Sequence, residues 1–478
     1  MRILLPVCLM LATLISSAQE SLKEMRSSVK EVIGGKEYYI HTVKKGQSLY
    51  MISKAYQTDV NTIIQDNPEV REGLKPGMKL RIPVPGSGQK ATEKKQEPSG
   101  EKAQPAPPPP EEAVPCDKVR PDPNTVYKVA LMMPLYLGDV SSIETNPSPG
   151  EEEPEYRSLR FIEFYEGFMM AMDSLEKSGL SLKLYVYDVS KDTLKTKSLL
   201  RQSDVRQMNL IIGLVYSRNF QILSQFAKEN HIPLVNPVSE REQILTGNPM
   251  IFKVQPGLNS QPEHLAEYLA SHFSDANLLA VANDKDAYGE ASGNLQKACA
   301  NRHLDLKITG GYDEVTKLLS KEKENVVVFY AAERVYALDL ITKLNELRAD
   351  YKITLVGLPQ WADLEDDLEA EYLVNLKTRV LAPWFVDYED PETKKFVKAF
   401  QQKYFTDPDP LAFQGFDVAF YFLSALQKFG NHFYPCIPSF RMKSLQTDFQ
   451  FESTGNNGFE NQHWAIYSYG DYSKHKEN

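Results

Sequence analysis

Leu210–Ser239, LIIGLVYSRNFQILSQFAKENHIPLVNPVS, is the stretch on which the fold of this 478-residue chain turns. It opens on Leu210-Ile211-Ile212, an unbroken apolar run of strand length that ends in Gly213. A strand reads this way when helices cover both faces of its sheet. Asn219 to Lys228 follows as a helix, and Pro233 to Val235 as the next strand. A helix of crossover length between two apolar strands returns the chain to lay the second strand parallel to the first.

The same alternation runs outward in both directions. Upstream, Val129 to Met133 reads as a buried strand, Phe161 to Leu175 as an amphipathic helix, Leu182 to Tyr187 as a strand and Leu194 to Val205 as a helix. Downstream, the pattern repeats as helix Pro262 to Phe273, strand Leu278 to Val281, helix Ala287 to Arg302, strand Val326 to Phe329, helix Arg334 to Leu347 and strand Ile353 to Val356. Two blocks of this kind predict two α/β lobes with parallel sheets. The tail is less regular, with Asp448 to Phe451 and Trp464 to Tyr467 expected as added strands.

YKVALMMPLY, GFMMAMDSLEKSGLSLKLYVYD, LIIGLVYSRNFQILSQFAKENHIPLVNPVSE, DKDAYGEA and GFDVAFYFLSAL resemble type I periplasmic-binding proteins of the branched-chain amino acid class. The resemblance covers most of Tyr127 to Phe429 and implies two lobes that close on a small ligand, an amino acid or a muropeptide. Loops at the carboxyl ends of parallel strands hold such a ligand. By position in the family pattern, Ser217, Ser239 and Tyr288 match the ligand-holding hydroxyls and covering tyrosine. Tyr330, Gln360 and Trp361 are expected to face them, with Asp363 as a candidate acid for a ligand ammonium. Gly138 to Leu159, rich in acid and proline, is inserted where the family continues straight from its first ligand loop into a helix. Lipoprotein activators of penicillin-binding proteins share this fold, so regulation of a cell-wall synthesis enzyme through protein contacts is the rival expectation.

Residues 126–478 are therefore expected as the large domain, and 85–125 as a disordered, proline-rich linker containing AQPAPPPPEE. About 30 residues at roughly 3.1 Å each extend on the order of 90 Å. Ahead of it, residues 38–84 read as strand (Tyr38, Ile40, Thr42), helix (Leu49, Ile52, Tyr56 behind Ser48), helix (Val60, Ile63, Ile64 behind Asp59) and strand (Leu80, Ile82). Pro76-Gly77 supplies a type II turn before the last strand.

HTVKKGQSLYMISKAY, IIQDNP and LKPGMKLRIP in this segment look like the lysin motif (LysM), a small βααβ module. That resemblance implies binding to N-acetylglucosamine chains of peptidoglycan in a shallow groove. Gly46, Gln47, Ser48 and Leu49 would form one side, and Asn67, Pro68, Glu69 and Leu74 the other.

Met1 to Ala18 has the basic start, apolar middle and small final residues of a cleaved signal peptide, so export to the periplasm or cell envelope is expected. Leu5-Pro6-Val7-Cys8 has the form of a lipobox, but it leaves too short an apolar region after Arg2 for lipidation to be expected. No later stretch is long enough to cross a membrane. Three cysteines remain after such a cleavage. Cys299 falls on the apolar side of a helical pattern and reads as core, which leaves Cys116 with Cys436 as the expected bridge.

Net charge is −10, with no basic stripe, which argues against nucleic acid. No zinc spacing occurs among the cysteines and eight histidines, and no metal or cofactor is expected. The S-x-x-K strings at Ser174 and Ser320 lack the companion elements of a serine acyltransferase. The chain is expected to be a non-enzymatic binding protein.

Overall fold

The computed structural model describes parts of residues 26–84, and residues 116–137, 161–282, 288–330, 334–358, 369–453, 455–471 and 473–477. It divides into two units, Met1–Pro109 and Pro110–Asn478. The signal segment and most of the linker lie outside the described residues, as does the insertion after Leu137.

In the first unit the alternating residues expected as a strand form β2 (Lys36–Thr42), paired antiparallel with β3 (Lys79–Pro83) from Tyr38↔Pro83 to Thr42↔Lys79. An additional strand, β1 (Lys30–Ile33), pairs with the other edge of β2, so the sheet has three strands where two were expected. Helix α1 (Leu49–Tyr56) buries Ile52 and Tyr56, which lie one turn apart, against Leu80 and Ile82. Residues 62, 63 and 66 are helical, with Ile63 fully buried. Gly77 has φ +88°, and the Met78 N–H donates to the Lys75 carbonyl at 3.2 Å, the geometry of the expected type II turn.

In the second unit, β4 (Tyr127–Met133), β5 (Leu182–Asp188), β6 (Leu210–Gly213), β7 (Leu234–Asn236) and β8 (Ile251–Lys253) are parallel, in spatial order β8-β7-β6-β4-β5. Helices α2 (Ile162–Lys177), α3 (Thr193–Leu199) and α4 (Ser217–Asn230) connect or cover them. The second lobe has helix α5 (Gln261–His272), strand β9 (Asn277–Ala282), helix α6 (Tyr288–Asn301), strand β10 (Leu306–Thr309) and helix α7 (Tyr312–Leu318). It continues with β11 (Asn325–Tyr330), α8 (Arg334–Leu347), β12 (Ile353–Gly357), α9 (Ala370–Asn375) and β13 (Arg379–Ala382). Its strands stand in the order β10-β9-β11-β12-β13, all parallel.

The sheets are mixed, because the tail adds antiparallel pairs to both. β14 (Phe451–Ser453) and β15 (Phe459–Asn461) extend the first sheet beyond β8, and β16 (Ala465–Gly470) and β17 (Ser473–Glu477) extend the second beyond β13. The chain therefore passes between lobes after β8, after β13 and between Asn461 and Ala465. At the last passage the Trp464 indole N–H donates to the Ser260 hydroxyl at 2.9 Å.

After β13 the chain returns to the first lobe through α10 (Pro391–Tyr404) and α11 (Pro410–Phe429). α11 lies against α2 in van der Waals contact of the backbones. A Cβ built on Gly415 would stand 2.1 Å from the Phe164 carbonyl oxygen, and one on Gly167 1.9 Å from that of Ala412. Cys116 and Cys436 are bridged, with Cα atoms 5.7 Å apart and 320 residues between them in sequence. Residues 116–125, expected as the end of the linker, thus belong to the second unit, where Val119 packs on the first-lobe core.

Candidate functional site

The turns leaving β6 and β7 build the wall of a first-lobe cavity. Gly213 ends β6 where a Cβ would come within 3.1 Å of Leu223, so the strand hands over to α4 at close quarters. α4 begins at Ser217, and its N-cap, Tyr216, provides no side-chain cap. The first N–H groups of α4 have no acceptor within the helix and suit a negatively charged group. After β7, the buried Asn236 carboxamide oxygen accepts the N–H of Val238 at 3.1 Å and of Ser239 at 2.7 Å. This turn carries Ser239 back toward α4. The Ser239 hydroxyl accepts the Arg241 N–H at 3.2 Å.

Ser217 and Ser239 come together on the wall of one cavity of about 710 Å³, together with Gln221, Asn236, Glu240 and Arg241. The helix start and Arg241 offer donors and positive charge, while Glu240 offers a carboxylate. Such a wall can hold a zwitterion by its two ends. Lys253 lies beneath it, fully buried, with its ammonium donating to the Gln255 carbonyl at 2.6 Å and the Glu240 carbonyl at 3.4 Å. That ammonium also pairs with the Glu460 carboxylate at 2.8 Å.

The chain leaving β4 is shaped by Asp188, whose carboxylate accepts the N–H groups of Leu135, Tyr136 and Leu137 at 3.0, 3.0 and 3.1 Å. Burial alone would raise the Asp188 carboxyl, but these donors and the Lys195 ammonium at 3.3 Å outweigh it and hold it below its ordinary value. Tyr136, in the left-handed region at φ 49°, shares a 2.5 Å hydrogen bond between its hydroxyl and that of Tyr216. The chain leaving β4 is therefore anchored at Tyr136 beside the start of α4.

A second cavity of about 620 Å³ lies where the chain passes between lobes after β13, lined by Trp384, Phe385, Tyr388, Tyr467, Lys474 and again Glu240, among others. Glu240 is on the walls of both cavities. It and Arg241 were missed in the sequence, where the only available signal is their position directly after Ser239.

Of the other expected cleft residues, Tyr288 starts α6 and Tyr330 ends β11, and their side chains are not described. Gln360, Trp361 and Asp363 lie outside the described residues, as do Gly46, Gln47, Ser48, Pro68, Glu69 and Leu74 in the first unit. Leu49 opens α1. Asn67 is fully buried. Its amide donates to the carbonyls of Ile63 and Arg81, and its oxygen accepts the Arg81 N–H, each at 2.7 Å. That side chain ties the backbone of Ile63 to β3. Among the described residues no cluster suited to a metal occurs, and no helix is long and apolar enough to cross a membrane.

Residues 161–435 match the family described as periplasmic binding protein, and residues 41–83 match the LysM domain. Both are non-catalytic binding families of the periplasm and cell envelope, and LysM domains generally bind peptidoglycan. No curated protein sequence matches the chain. Among solved structures, one from Rhodospirillum rubrum assigned to a branched-chain amino acid ABC transporter is 12% identical, with 74% of this chain and 100% of that one covered and a TM-score of 0.55. An ABC transporter substrate-binding protein from Desulfitobacterium hafniense in complex with Leu is 14% identical, with 74% and 100% covered and a TM-score of 0.46. Full-length LpoA from Haemophilus influenzae is 12% identical, with 74% and 59% covered and a TM-score of 0.47. At these identities the likeness shows the fold alone.

Proposed function

This chain belongs to the periplasmic binding protein family, and on that premise we propose that it is a non-enzymatic envelope protein that holds peptidoglycan through its LysM domain and captures a small ligand, an amino acid or a muropeptide, between its two lobes. The observation that carries this reading is the shared cavity of Ser217 and Ser239. A ligand carboxylate fits the uncapped start of α4, the Ser217 hydroxyl and Arg241, and a ligand ammonium fits Glu240. Calorimetric titration of the full chain with free amino acids and muropeptides should find a saturable ligand, weakened by Ser217→Ala and by Arg241→Ala. Silence across that panel overturns ligand capture. Sedimentation with purified peptidoglycan tests the other half: the chain should co-sediment, and equal retention after deletion of residues 38–84 overturns the anchoring role.

A second reading, regulation of a cell-wall synthesis enzyme by protein contact, is favoured by the Tyr136–Tyr216 hydrogen bond, which fixes the first ligand loop beside α4. Recovery of such an enzyme by crosslinking, together with a silent ligand panel, is the outcome that selects it.

A further inference from the structure

Phe405 ends α10 in the left-handed region at φ 62°, where a helix usually finishes on glycine, and keeps 90% of its surface exposed. A bulky residue held there costs free energy in backbone strain and in wetted apolar surface, and a side chain so exposed gains no packing in return. The turn that carries it is fixed to α2. Next to it, the Lys403 ammonium pairs with Asp173 at 2.7 Å and the Tyr404 hydroxyl donates to the Glu166 carbonyl at 3.2 Å. Asp407 and Asp409 follow in the same turn, and neither is paired with a cation among the described residues. The Asp407 carboxylate takes only the neutral Gln401 amide, at 2.6 Å. Phe405 is thus an apolar knob with an acidic collar.

The same lobe carries a groove of complementary character. A cavity of about 480 Å³ between α4 and the end of α3 has an apolar floor of Leu200, Ile222 and Phe226. Lys197 and Arg201 stand exposed on its rim, and neither is paired among the described residues. The one carboxylate on that rim, Glu229, takes the Gln225 amide at 2.7 Å. Knob and groove cannot meet within one chain, because successive side chains of β4 point to opposite faces of its sheet. Val129, Leu131 and Met133 pack with Phe164 and Phe168 of α2, whereas Ala130 and Met132 pack with Leu200 and Phe226. The knob is tied to the first face and the groove opens on the second.

We infer that Phe405 of one copy seats in the α3–α4 groove of another, its acidic collar against Lys197 and Arg201, so that the chain associates head to tail with itself. The occupant is a second copy because both halves of the contact, apolar and charged, are present on this chain and complement each other. A contact between two different patches leaves one knob and one groove free in every pair, so association does not stop at a dimer. It needs no bound ligand.

The test is sedimentation velocity of the full chain over a concentration series. The average mass should climb with concentration past that of a dimer. Phe405→Gly, which suits the left-handed backbone and so keeps the fold, should weaken association at least about ten-fold, the scale of a central aromatic anchor. Arg201→Glu, on the exposed rim, should do the same. Mixed in equal amounts, these two variants should form a one-to-one dimer and nothing larger, since only the groove of the first and the knob of the second are intact. A chain that stays monomeric throughout, association that Phe405→Gly leaves unchanged, or a closed symmetric dimer overturns the inference. So does a mixture no more associated than either variant alone. Ligand capture and peptidoglycan anchoring are untouched by any of these results.

Discussion

The Lys253 ammonium lies 2.8 Å from the Glu460 carboxylate with none of its side chain exposed, joining β8 to β15 directly beneath the Glu240 loop. Removing one partner of a buried pair strands the other charge. Lys253→Met should therefore cost about 3 to 5 kcal/mol, and the double variant Lys253→Met/Glu460→Leu should recover much of it. Urea unfolding of the four proteins of the cycle measures this. A single variant as stable as the parent would contradict the pairing.

Gly415 and Gly167 set the distance between α11 and α2. Gly415→Ala would push a methyl to within 2.1 Å of the Phe164 carbonyl oxygen, which is rigid backbone, and should destabilise by about 1 to 3 kcal/mol. Gly293, in α6, has open space around a built Cβ, so Gly293→Ala should be neutral or stabilise by up to about 1 kcal/mol through helix propensity. Thermal unfolding of the two variants should move in opposite directions.

Glu163, at the start of α2, is raised to about 7 by burial and by the neighbouring Asp409 and Glu166 charges, against the Asp409 N–H that it accepts at 2.6 Å. A carboxyl with a raised folded value keeps its proton in the native state after the unfolded chain has lost it. Its contribution is thus greatest below the unfolded value of 4.5 and declines as pH climbs toward about 7. Glu163→Gln should flatten the stability profile across that window and raise stability above it. Unfolding midpoints between pH 4 and 8 decide the point, and an unchanged slope counts against it.

Cys299 is fully buried among Leu295, Ala298 and Leu304, and burial pushes its thiol up to about 11. It should resist maleimide in the native protein and react once in denaturant. Cys116 and Cys436 should react only after reduction, and their loss should lower stability by about 3 to 5 kcal/mol because the bridge closes a very long loop. Mass spectrometry of labelled peptides separates the three positions.

Asn67→Ala removes three hydrogen bonds from the interior of the first unit, so it should lower the unfolding temperature of that unit. The expected loss is about 2 to 3 kcal/mol. At temperatures where the variant is folded, peptidoglycan co-sedimentation should be retained. Lost binding in a folded variant would give Asn67 a direct role.

Much of the fold was legible because burial on both faces writes continuous apolar runs. Leu210–Gly213 and Ile353–Gly357 are fully buried strands and read as such. The helices α4, α6 and α8 begin and end within two residues of their expected limits. Strand β8 was missed because its core contains Lys253, a residue that sequence assigns to the surface and only its carboxylate and carbonyl partners make tolerable inside. Strand β1 was missed because Lys30, Glu31 and Val32 are exposed and carry no pattern of burial.

By itself, the sequence determined the two-lobed α/β class, since alternating strands and helices depend on local periodicity, while the lysin-like segment and the candidacy of Ser217 and Ser239 are what its resemblance to known families implies. Tertiary structure alone decided that the tail adds an antiparallel pair of strands to each sheet, and that Glu240 faces two cavities. Trp384 and Tyr388 come beside Glu240 only through the passage between lobes, about 140 residues further along, and no local pattern encodes a contact of that separation.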